Sequence, residues 1–311
     1  MHLLLIPMIL AFAMESLLWK RNKLKPLVSL VGNACWRFVF VTSVFLVFFA
    51  INGTSVFYGL TWRIVGFTFL LHIFGVSVVM LYVKILQNMC VSIADPLQLF
   101  RIIPLTLLSW VIFGGSLSYW EITLVVLIFI FCAGLGFFQG RHENWLRKRC
   151  CAPALNGSAP SNAGNFKHGL LFLLLWTVCV VGMDLIINYM SYTGIHPITF
   201  SALRAVTFLG VAFAVFMIFK RGERVKSIWI ALKNKKMMAI GAIFAVHSIL
   251  FITMLLHIDN VGILTSIAVV GAVPIVVLCG TLIMKEKIKW YSYVFITLIV
   301  ACVVALTLIT T

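Results

Sequence analysis

Glu15 and Asp184 each interrupt a long apolar run, and each follows a methionine, Met14 and Met183. A charged group inside a bilayer-length apolar segment costs at least about 2.5–3.5 kcal/mol, so each one needs a reason. A carboxylate pair of this kind could couple protons or attract cations, each member reached from one side of a membrane. Alternatively, each snorkels to the interface or caps a neighbouring helix. Asp95, Gln98 and Arg101 follow one another at intervals of three, which places them on one ridge of a helix. The five-donor fork of Arg101 suits the carboxylate or phosphate of a small-molecule substrate; an internal ion pair with Asp95 or Glu15 is the structural alternative. His72 and His247 fall near the middle of their runs, either as hydrogen-bonded core residues or as cavity ligands and proton carriers. Trp176 could stack on a ligand, as could Trp62, Tyr82, Trp110 and Tyr189, although aromatics in such runs also serve packing and the membrane interface. Arg37 and Arg204 follow Pro26 and Pro197 near the starts of their runs and read as structural anchors for carbonyls or a partner acid.

The elements that must hold these groups are membrane helices. The chain is 63% apolar and 10% charged, whereas a soluble domain is roughly 45–50% apolar and about 25% charged. About 20 apolar residues cross a bilayer as helix. Ten runs qualify: 2–19, 27–51, 62–83, 89–113, 118–138, 169–190, 195–219, 236–256, 261–283 and 290–310. The first lacks the basic leader of a signal peptide and contains Glu15, so it reads as a first helix. The fold class expected is an all-α integral membrane protein with ten transmembrane helices. Residues 1–138 form a first five-helix unit and 169–311 a second. Between them, 139–168 joins a basic run to APALNGSAPSNAGN, a flexible linker by composition.

Charge sets the expected orientation. Connections after odd-numbered runs carry 4, 1, 5, 7 and 3 of the 24 Lys and Arg, those after even-numbered runs carry only Arg63, and Arg37, Arg101 and Arg204 lie within runs. Basic loops stay cytoplasmic, so both termini point outward. The basic patches then face anionic membrane lipid rather than nucleic acid. Because five helices make each unit, the second enters the membrane in the opposite sense, and the units are inverted repeats.

Direct comparison of the units supports a duplication. At a shift of 170, Pro104 falls on Pro274, Leu108 on Leu278, Trp120 on Trp290 and Cys132 on Cys302; at 169, Met14-Glu15 falls on Met183-Asp184. Prolines at matching points in two halves are the best sequence pointer to a transporter's binding site, so Pro104 and Pro274, with nearby Pro96, are the expected helix breaks or hinges. Around Pro274, Gly262, Ser266, Gly271 and Gly280 permit close helix approach.

These last spans, with small residues from Gly262 to Ala272, then Pro274, then Lys285-Glu286 before a final apolar helix, resemble the EamA-type drug/metabolite transporters. The Pro197…Arg204 start of the seventh span is similar to the same family. In the first unit Ser116 falls where Glu286 sits, and Glu121 comes later. The resemblance implies a central substrate cavity lined by spans one, three, four, six, eight and nine. It also implies efflux or exchange of small metabolites such as amino acids or nucleotide derivatives.

Other classes lack their marks. There is no H-E-x-x-H, G-x-S-x-G or paired-Asp motif for a membrane-embedded enzyme. Nothing resembles a selectivity filter or a nucleotide-binding loop, so transport would run on a gradient or exchange. Six of the eight cysteines lie within or at the ends of runs and read as small apolar residues, while Cys150-Cys151 lacks zinc-ligand spacing. No cofactor or metal is expected. Asn52-Gly53-Thr54 fits a glycosylation acceptor on the outer side. The expected protein is a secondary transporter in a plasma or inner membrane, monomer or homodimer; a non-transporting receptor or scaffold is the alternative.

Overall fold

The computed structural model describes residues 2–22, 24–113, 118–150, 166–191, 193–220, 222, 224–255, 261–286 and 288–310. Ser116, Cys151 and the centre of the expected linker lie outside the described residues, as do the surroundings of Gly262 and the side chains of Trp110, Cys150 and Ser266. The helices are α1 (His2–Arg21), α2 (Pro26–Asn52), α3 (Trp62–Asn88), α4 (Val91–Gln98), α5 (Ile102–Phe113), α6 (Tyr119–Cys150), α7 (Phe166–Ser191), α8 (Pro197–Phe219), α9 (Arg224–Lys233), α10 (Lys235–Leu255), α11 (Val261–Leu282) and α12 (Trp290–Thr310). Two 3₁₀ turns, Gly53–Phe57 and Leu99–Arg101, complete the order. Among the described residues there is no strand. An apolar solvent leaves the backbone no partner but itself, which is why such a composition folds into helix.

Seven segments are long and apolar enough to cross a membrane: Pro26–Asn52, Trp62–Asn88, Val91–Leu108, Tyr119–Gln139, Phe166–Met190, Pro197–Phe219 and Lys235–Met254. Ala268–Leu282 and Trp290–Leu306 are shorter apolar stretches. The outer surface is apolar, with Val178 69% and Leu308 72% exposed, a surface that water would not tolerate and lipid does. The chain is a multi-pass, all-helical membrane protein.

Local sequence sets the helix ends. Ser118 and Glu121 form a reciprocal capping box at the start of α6: the Ser118 N–H donates to Glu121 Oε2 (2.6 Å) and the Glu121 N–H to Ser118 Oγ (3.2 Å). Asn234 Oδ1 accepts from the backbone N–H of Lys236 and Met237 at the start of α10. The expected linker is shorter than its composition suggested, because α6 runs on to Cys150 and α7 begins at Phe166. The run RHENWLRKRC contains no breaker, and its Arg, Lys and Glu favour helix.

The expected fourth span is divided. Pro96 and Pro104 each remove a backbone donor, and between them the helix tightens into the 3₁₀ turn that carries Arg101. α11 runs unbroken through Pro274, whose ring faces outward.

Most helices pack chiefly on helices from the other half of the sequence: α3 on α7, α6 on α12, α2 on α8, α1 on α10 and α11, α2 on α10, and α4 on α11. At the α2–α10 crossing Gly241 is required, since a Cβ there would sit 2.4 Å from Trp36 Cβ and 3.0 Å from the Arg37 nitrogen. That close approach sets the depth of Arg37 in the bundle.

Candidate functional site

At the centre of the bundle lies a cavity of about 140 Å³. Six of the residues marked out by their chemistry line it: Glu15 from α1, Gln98 and Arg101 from the α4–α5 break, Trp176 and Asp184 from α7, and His247 from α10. Arg204 and Ser248 line it too, together with Ser16, Trp19, Tyr82, Phe12, Phe244 and Phe251. Asp95, His72 and Arg37 stand behind the wall, all but fully buried.

The wall formed by α1 and α10 is internally paired. Glu15 Oε1 accepts from Trp19 Nε1 (3.2 Å), and its Oε2 lies 3.5 Å from His247 Nδ1. That second contact is an ion-pair distance without hydrogen-bond alignment. Rings of Phe12, Phe244 and Phe251 meet the imidazole edge-on at 5.3–6.2 Å. Deeper in, Tyr82 Oη lies 2.9 Å from both Asp95 Oδ1 and Ser16 Oγ. The phenol has one proton, which suits the carboxylate, so the serine hydroxyl donates to the phenol oxygen. Gln98 Nε2 also donates to Asp95 Oδ1, at 2.8 Å.

The opposite wall has no such closure. Asp184 is 4% exposed, and its Oδ2 has no partner among the described residues. Arg101 and Arg204 are the cations whose charge reaches it, but neither lies within ion-pair distance. Arg101 likewise meets neither Asp95 nor Glu15 at that distance; its contact is the Trp176 ring, 5.6 Å from the guanidinium carbon. The Trp176 indole N–H is buried and unpartnered. Arg204 Nη1 and Arg37 Nη2 both point at one neutral hydroxyl, Ser248 Oγ, at 3.5 and 3.3 Å. The Nε of each arginine is buried without a partner.

His72 is held by its own surroundings. Its Nδ1 lies 2.7 Å from the Thr68 carbonyl and so carries the proton, with Thr207 Oγ1 at 2.8 Å. Trp62 is exposed, and Tyr189 packs beside Phe67 and under Arg63, away from this cavity. The placement of Arg204 and Ser248 on the wall is new relative to the sequence. Arg204 lies near a helix start, where an anchoring role is the ordinary reading, and Ser248 carries no signal except its position next to His247.

A second polar cluster lies at the α3–α4 junction, at the end of the bundle where α1 finishes and α10 begins. Lys20 Nζ donates to the carbonyls of Leu86 and Met89, both at 2.6 Å. Glu286, on the turn after α11, accepts from the N–H groups of Val91 and Ser92 (3.0 Å each) and from Ser92 Oγ (2.7 Å). Lys20 thus answers the free carbonyls ending α3, and Glu286 answers the free N–H groups starting α4. Lys285 supports the reach of Glu286 by adopting a left-handed φ of 56°.

No family profile matches the chain, and no curated protein does. Similarity appears among solved structures, 26 chains of which match. One, known only by the words "crystal structure of protein", aligns over 99% of this chain and 97% of its own, with 14% identity and a TM-score of 0.59. Likeness at that identity concerns the fold alone.

Proposed function

We propose that the chain is a secondary-active transporter of a small metabolite, working by efflux or exchange through alternating access. The observation that carries this reading is the central cavity, where charged groups from both halves of the sequence converge and several lack protein partners. A scaffold has no need of uncompensated charge at that depth, and the cost of keeping it there points to a ligand.

The proposed architecture is ten transmembrane helices in two inverted five-helix repeats, as in EamA-type drug/metabolite transporters. Packing supports it. Exchanging α1 with α7, α2 with α8, α3 with α10, α4–α5 with α11, and α6 with α12 maps the main contacts onto one another: α3 on α7 becomes α10 on α1, and α3 on α8 becomes α10 on α2. By the charge count the basic loops are cytoplasmic and the termini outside. The α3–α4 junction, held by Lys20 and Glu286, then forms a closed cytoplasmic end in this conformation.

The test is counterflow in proteoliposomes against amino acids, organic phosphates, nucleotide derivatives and organic cations. The reading expects uptake of one class, reduced at least about tenfold by Asp184→Asn. Correctly inserted protein that exchanges no class across the panel would remove it.

A further inference from the structure

We infer that Arg37, Arg204 and Ser248 form an oxyanion subsite at one side of the cavity, which takes the carboxylate or phosphate group of the carried solute. This deepens the carrier reading and rests on it. Guanidinium stays charged at any physiological pH. Here two of them, 2% and 6% exposed, converge on one serine oxygen from helices α2 and α8. Their Nη groups are therefore within two hydrogen-bond lengths of each other. No carboxylate lies within ion-pair distance of either among the described residues. A neutral hydroxyl has too little charge to balance two cations, and burial without a counter-ion is costly.

Aromatic rings lie close to both groups. Phe244 and Phe208 lie 4.3 and 5.3 Å from the Arg37 guanidinium carbon, and Phe200 lies 5.6 Å from that of Arg204. The Nε–H of each arginine is left without a partner. The donor edge of Arg204, with the charge of Arg37 behind it, matches the several oxygens of a carboxylate or phosphate, which accept paired hydrogen bonds. Arg204 and Ser248 face the cavity, and Arg37 supports them from behind. Next to the subsite, Phe244 and Phe251 offer an apolar surface for the rest of the solute. The combination selects an organic anion with an apolar or aromatic body.

The test uses the purified full chain in detergent. Thermal unfolding is followed with phenyl phosphate, benzoate or inorganic phosphate, each against sodium chloride at equal ionic strength. Binding to the folded state raises the midpoint with ligand concentration. The inference expects protection by phenyl phosphate or benzoate, abolished in Arg204→Gln and Arg37→Gln. Ser248→Ala, which removes only a hydroxyl, is expected to weaken binding roughly fivefold and serves if the arginine variants misfold. Three results would overturn the inference: protection equal to that of chloride; protection kept in Ser248→Ala and Arg204→Gln but lost in Arg101→Gln; or equal protection by inorganic and phenyl phosphate, which would mark a resident free ion. Counterflow separates this outcome from the carrier reading. Arg204-dependent protection without flux leaves the subsite standing and removes the carrier, whereas flux of a cation or neutral solute that phenyl phosphate does not inhibit does the reverse.

Discussion

The α3–α4 junction and the central cavity are two polar regions within the apolar bundle, and they treat polar atoms in opposite ways. At the junction, Lys20 and Glu286 satisfy two carbonyls, two N–H groups and a hydroxyl. In the cavity, Asp184 Oδ2, the Nε atoms of Arg37 and Arg204, and the Trp176 indole N–H go without. Satisfied polar groups hold a structure together; buried unsatisfied ones await something the protein does not supply. On the proposed carrier reading, the difference separates residues kept for stability from residues kept for a ligand.

Substitutions put that separation at risk, and their expected effects on stability run from severe to nil. Gly280→Leu should abolish folding, because even a Cβ at Gly280 would sit 2.1 Å from Ser92 Oγ, beside Glu286. Loss of the monodisperse peak in size-exclusion chromatography would register it. Glu286→Ala leaves two N–H groups and a hydroxyl without their acceptor, and should cost about 2–4 kcal/mol, read as a lowered unfolding midpoint. Lys20→Met should cost about 1–2 kcal/mol by the same measurement.

Within the cavity the comparison sharpens between Glu15 and Asp184, which fall on one another at a shift of 169 residues. Glu15→Gln keeps an acceptor for Trp19 but removes the charge facing His247, and should cost about 1 kcal/mol. Asp184→Asn should change stability by less than about 0.5 kcal/mol, or raise it, while counterflow falls at least about tenfold. If Asp184→Asn destabilised as much as Glu286→Ala, the distinction between the two regions would collapse.

The sequence foretells the helical bundle and much of the cavity wall because both depend on the placement of charge in apolar runs. A carboxylate at Glu15 or Asp184 is conspicuous in such surroundings, and both meet Gln98, Arg101, Trp176 and His247 around one space. What escaped depends on contacts between distant segments. Glu286 caps a helix 195 residues away, and no local pattern encodes that reach. In the first half Ser116 falls where Glu286 sits, and the later Glu121 turns back to cap its own helix with Ser118. Arg204 sits at a depth where an arginine ordinarily anchors a helix, and only the approach of α10 with Ser248 reveals it as part of the wall. The basic run that opens the expected linker continues α6 to Cys150, because its residues favour helix as readily as loop.

The cross-packing of the two halves has a consequence for how the protein is made. Helices α1 to α6 leave the ribosome before α7, α8, α10, α11 and α12, the helices on which they chiefly pack, have been synthesised. During that interval Arg37 lacks both Ser248 and Phe244, and the start of α4 lacks Glu286. The first half therefore waits in the membrane as an unfinished assembly, and the last turn before α12 closes it.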